Sequence, residues 1–155
     1  MLFTKWHKKL NIQGEKKMSE PQQIVFDHNG KKYKIDEFYK SLLFQFIMDS
    51  NFLRNERDLL LVIKRKTLHF GKVSDHLSFS WLMKATGLKR VTLRNTINTA
   101  EQKGLITIKK SKGGRIDSAT KYSEYRISST MLQYVGKEWL KIKDGEGFAE
   151  SYIYE

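Results

Sequence analysis

Five residues carry the most pointed chemistry in this sequence: Val91, Arg94, Asn95, Asn98 and Gln102. At 100° per residue they share one side of a helix running from about Lys89 to Lys103, while Leu93, Ile97 and Ala100 fall together on the other side. The outer face holds a guanidinium, three carboxamides and one apolar side chain, and no acid. Those groups match the edges of bases: arginine pairs with guanine, asparagine and glutamine with adenine, and an exposed valine meets a thymine methyl. Lys89, Arg90 and Thr92 lie in the first turn beside them. A second chemical cluster follows in Lys109-Lys110-Ser111-Lys112-Gly113-Gly114-Arg115, a stretch with four cations and no anion, with Lys121 a little further on. Flexible and basic, it suits phosphate contacts or insertion of Arg115 into a narrow groove.

Other chemistries find little support. There is no cysteine, so a disulfide scaffold, a thiol nucleophile and a cysteine zinc site are excluded. His7, His28, His69 and His76 include no pair at the i, i+3 or i, i+4 spacing of a helical metal site. Asp27, Asp36, Glu37, Asp49, Glu56 and Asp58 read as helix caps or solvated positions rather than converging catalytic acids. Gly113-Gly114 lacks the pattern of a phosphate loop that opens a helix. Trp6, Trp81 and Trp139 read as packing residues. The expectation is a chain that is no enzyme and needs no metal or cofactor.

The elements that must position the outer face are legible around it. Ser78 caps a short helix, Phe79–Thr86, and Gly87 supplies the left-handed turn that ends it. Leu88 plugs the corner, and the helix bearing Asn95 follows until Gly104. Helix, glycine turn, helix is the arrangement that sends a second helix into a major groove. A two-stranded ribbon is then predicted from Leu105–Ile108 and Tyr122–Ile127, enclosing the basic loop as a wing. Upstream, Asn55 is the expected cap of a central helix that runs through Leu59–Ile63 to about Phe70, stopped by Gly71. At its end Lys64, Arg65, Lys66, His69 and Lys72 complement the helix dipole, and they also suit contacts to a DNA backbone.

Before that helix, Ile24–Phe26 and Tyr33–Ile35 flank Asn29-Gly30, a strong hairpin signal. Asp36 caps a helix to about Ser50, with Phe38, Tyr39, Leu42, Leu43, Phe46 and Ile47 at buried spacing. After the ribbon, Ser128 or Ser129 caps a last helix with Met131, Leu132, Val135, Trp139, Leu140 and Ile142 near one face. That helix is open to two roles, closing the domain against the helix capped by Asp36 or forming a dimer or partner surface. Phe148, Tyr152 and Tyr154 near an acidic end hint at a docking segment. The predicted fold is therefore mainly α with a small β-hairpin wing, α+β: a winged helix-turn-helix with an additional N-terminal hairpin and helix and a C-terminal helix. The expected divisions are a basic arm over 1–20, a hairpin and helix over 21–53, the winged helix over 54–128 and a helix with acidic tail over 129–155. Met18 competes with Met1 as the natural start.

Charge sharpens the picture. The 155 residues carry 29 Lys+Arg against 17 Asp+Glu, a formal net charge of +12. Residues 54–126 hold +11 of it, whereas residues 1–53 hold +3 and residues 127–155 hold −2. A surface built only for solubility mixes its signs, so this segregation reads as a footprint for a polyanion. The longest apolar run, Leu59–Ile63, is far short of the ~18–20 residues of a membrane span, and no signal peptide is visible. The reading is a cytoplasmic protein of a prokaryotic cell, a phage or a plasmid.

Leu82–Ile106, with Thr86-Gly87-Leu88 and Lys103-Gly104-Leu105-Ile106, resembles bacterial winged helix-turn-helix proteins. More particularly, Arg65-Lys66-Thr67, Phe70, Lys72, Asp75 and Leu77-Ser78 leading into Thr86-Gly87-Leu88 resemble the N-terminal, origin-binding domain of phage replication protein O. His69 and Leu68 depart from the family's usual glycine and aromatic residue. The resemblance implies sequence-specific binding of double-stranded DNA at a replication origin. In that family a further C-terminal region engages the helicase machinery; here 28 residues follow Ile127, and a replication partner would have to use that tail. Two other readings keep the fold: a transcriptional regulator binding an operator as a homodimer, and an interaction module docking an acidic protein.

Overall fold

The computed structural model describes residues 24–110 and 122–154. The basic arm and the wing residues Lys112, Arg115 and Lys121 lie outside the described residues. The described residues open with a hairpin, β1 (Val25–His28) and β2 (Lys31–Lys34), paired so that Phe26 faces Tyr33. Asn29 and Gly30 both take positive φ, 50° and 79°, which is what a two-residue turn between right-twisted strands demands. Helix α1 (Glu37–Asp49) follows, and the Asp36 carboxylate accepts from the Tyr39 amide at 2.7 Å. Tyr39, Leu43 and Ile47 are buried, but the apolar face is broader than its contact: Leu42 and Phe46 are half-buried, and Phe38, Phe44 and Met48 are exposed.

Helix α2 (Arg54–Lys66) is the central helix, with Leu59, Leu60 and Ile63 wholly enclosed. Both its ends differ from the sequence expectation. It starts two residues early, with Leu53 rather than Asn55 at the cap, because the Glu56 carboxylate turns inward and accepts from the Leu53 amide at 3.3 Å. It stops at Lys66 instead of Phe70, where the buried Thr67 hydroxyl donates to the Ile63 carbonyl at 2.7 Å. A 3₁₀ turn, Leu68–Phe70, then leads to Gly71.

The next element, β3 (Asp75–Ser78), is a strand the sequence pattern did not reveal. It is followed by α3 (Phe79–Thr86), α4 (Arg90–Gln102), β4 (Ile106–Lys109) and β5 (Tyr122–Ile127). The antiparallel sheet has the order β3-β5-β4, so the expected two-stranded ribbon is a three-stranded sheet with β5 in the middle. One helix, a strand, two helices and two further strands joined by the wing make up a winged helix-turn-helix, in an α+β chain that is mainly helical.

Helix α5 (Ser129–Glu146) closes the fold, capped by the Ser128 hydroxyl, which accepts from the Met131 amide at 3.1 Å. It packs on α1 and β1: the Tyr39 hydroxyl donates to the Leu132 carbonyl at 2.5 Å, and the Trp139 indole donates to Asp36 at 2.9 Å. Gly136 faces Phe26, and a Cβ there would overlap the phenyl ring. The tail folds back as well: Tyr152 sits edge-on to Trp139, and the Tyr154 amide donates to the Lys32 carbonyl at 2.7 Å. The last helix is thus the closing element, and much of the tail is engaged with the hairpin.

Candidate nucleic-acid interface

Helix α4 is held by its inner face. Leu93, Ile97 and Ala100 are completely buried, and Thr96 is nearly so, its hydroxyl donating to the Thr92 carbonyl at 2.8 Å. Both helix ends are fixed too. Gly87 at φ 75° turns the chain out of α3 and into the Lys89 cap, a conformation costly for any residue with a Cβ. At the far end the Lys103 ammonium lies 2.9 Å from Glu56, whose carboxylate is 1% exposed. This pair ties the end of α4 to the start of α2. Sequence reasoning read Glu56 as a first-turn, solvated acid, and missed this clamp because its two residues are 47 positions apart.

With the inner face occupied, Val91, Asn95, Asn98 and Gln102 are exposed, together with Lys89, Arg90 and Thr92. No acid lies in the first turn of α4, so the positive end of the helix dipole is uncompensated there. Arg94 is half-buried and already engaged by other groups of the chain. Arg90 lays its guanidinium over the Phe79 ring at 5.3 Å, bridging α4 to the start of α3. On the sheet, Lys109 and Lys110 are exposed at the base of the wing, with Lys109 opposite Glu124 on β5.

The upstream cations, adjacent in sequence, are divided in space. Lys66 lies over Trp81 at 5.0 Å and Phe70 at 5.9 Å, on the side of α3 and β3. Lys72 pairs with Asp75 at 3.6 Å beside it. Lys64 faces α1, its ammonium 5.9 Å from the Phe44 ring, and Arg65 and His69 line the same groove. Burial, and then the nearby Lys40, lower the proton affinity of Lys64, with Glu37 opposing. The start of α3 gathers Ser78, Trp81, Lys66 and Tyr122 around a small cleft, an edge that sequence reasoning did not assemble. Its one available signal was the Ser78 cap.

Among the described residues no three His, Asp or Glu side chains gather as a metal site, and no helix there is long and apolar enough to cross a membrane. No protein-family model matches the sequence, and no curated protein matches it. Among solved structures, a possible transcriptional regulator from Methanosarcina mazei Go1 aligns over 81% of this chain and 95% of its own, at 13% identity and a TM-score of 0.36. A likeness that slight says nothing about what either protein binds.

Proposed function

We propose that the chain binds double-stranded DNA, with α4 in the major groove and the wing on the flanking backbone. The observation that carries this reading is the division of α4. Leu93, Ile97 and Ala100 are fully buried in the core, while Val91, Asn95, Asn98 and Gln102 stand exposed on the helix that follows the glycine turn. Lys89, Arg90, Lys109 and Lys110 supply cations at both margins, and the sequence places Lys112, Arg115 and Lys121 in the wing between β4 and β5. Lys66 and Lys72, beside the start of α3, are the upstream cations best placed to join them. Phosphate contacts position the protein; the amides on α4 specify the site.

Recognition of a replication origin is the finer reading, and it is supported by the Arg65–Leu88 motif. Selection of bound sequences from a random duplex pool tests both levels. Repeated, directly oriented sites are expected of an initiator, and a palindrome would favour an operator-binding dimer. Failure to enrich any sequence would remove α4 as a reader.

A further inference from the structure

A groove on the far side of α2 from Lys66 remains without a role. Two adjoining hollows, of about 310 and 420 Å³, share Phe44, Lys64 and His69 and run between α1, α2 and the end of α3. The floor is apolar, formed by Leu61, Val62 and Ala85 and by Phe44, which is 46% exposed. The walls carry Lys40, Lys64 and Arg65, whereas the acid lining the groove is Glu37, already bound by Lys40 at 3.0 Å. Lys40 holds that carboxylate while Lys64 lies over the Phe44 ring, so three cations face one acid and a further carboxylate would offset the excess.

We infer that this groove docks an acidic peptide segment of a partner protein, seating one large apolar side chain on Phe44, Leu61 and Val62 and its carboxylates on Lys40, Lys64 and Arg65. Duplex DNA fits less well, since a phosphate backbone has nothing to bury on this apolar floor. The chain's own ends do not suit it either. Residues 1–23 carry five lysines against two acids, and the aromatic tail is held on β2 through Tyr154. The groove is open to solvent across both hollows, which matches a peptide better than an enclosed small molecule.

The probe is a short fluorescent peptide with a phenylalanine and a leucine flanked by glutamates, titrated into the full chain at low ionic strength and followed by anisotropy. Saturable binding is expected. Phe44→Ser and Arg65→Gln should each weaken it by about tenfold or more, while Lys141→Gln, a charge removed from α5, should not. Thermal melts of the variants verify that they fold. The inference is overturned if the peptide does not bind, if a glutamine-for-glutamate peptide binds as well, or if Lys141→Gln weakens it equally. It is overturned too if Phe44→Ser spares the peptide and instead weakens duplex binding. Duplex binding is measured in parallel, and peptide binding by a chain that holds no duplex would leave this inference standing while removing the DNA reading.

Discussion

Where the hairpin meets α1 and α5, the interior is a set of aromatic rings: Phe26 stacks on Tyr33 and Tyr39 at 5.5 and 5.1 Å, and Trp139 meets Phe26 and Tyr152 edge-on at 5.6 and 5.0 Å. Where α2, α3 and α4 meet, the interior is largely aliphatic, with Leu59, Leu60, Ile63, Leu82, Leu93 and Ile97 fully enclosed. The two regions also divide the charge, since the span 54–126 holds +11 and the chain after it −2. The aromatic layer spends its large side chains on cohesion, and its charged residues nearly cancel. The winged helix keeps its aliphatic side chains inside and its amides and cations outside. On the proposed reading, stability and recognition rest on different residues, and substitutions should separate them.

The largest effect belongs to the aromatic layer. Trp139→Ala removes a side chain with no exposed surface and its hydrogen bond to Asp36. Denaturant melts should show a loss of about 3–5 kcal/mol, with duplex affinity per folded molecule unchanged. A loss below about 1 kcal/mol would erase the contrast between the regions. The next effect tests how α4 is held. Lys103→Met strips the counter-charge from the buried Glu56, and because the Lys103 side chain is half exposed, the expected cost is about 1–3 kcal/mol. The double substitution with Glu56→Gln should recover part of it, and simple additivity in the cycle would show that the pair is not coupled.

Smaller effects lie on the charged surface. If half a dozen cations neutralise phosphates, duplex affinity should fall with salt at a log–log slope of about −5, and Lys110→Ala should reduce that slope by about 1 on every sequence. An unchanged slope would take Lys110 off the backbone. The smallest effect is within the sheet. Tyr125 is fully buried, its hydroxyl has no hydrogen-bond partner among the described residues, and burial raises its proton affinity well above the tyrosine range. Tyr125→Phe should therefore leave stability unchanged or raise it by up to about 1 kcal/mol. A clear loss would mean that the hydroxyl is satisfied after all.

Much of the fold was legible because its signals are local. Ser78 and Gly87 bracket α3, Asn29-Gly30 turns the hairpin, and the spacing of Leu93, Ile97 and Ala100 orients α4. Strand β3 was hidden because its four residues include a single apolar one, Leu77, and its identity comes from pairing with β5 some 46 residues later, as in Leu77 opposite Ser123. The end of α2 was misread because Thr67, whose hydroxyl bonds Ile63, looks like any helical residue in a pattern. Among the candidate interface residues, the exposed amides followed from periodicity. The engagement of Arg94, the stacking of Arg90 and Lys66, and the separation of Lys64 from Lys66 depend on neighbours distant in sequence.

The central claim is that the outward amides of α4 choose the sequence while the cations only hold the backbone. It is tested most directly by titrating the wild type and an Asn95→Ala, Asn98→Ala double variant against a selected duplex and a scrambled one at fixed salt. The double variant should lose about 1–3 kcal/mol per lost base contact on the selected duplex and almost nothing on the scrambled one. Equal losses on the two duplexes, or none on either, would contradict it.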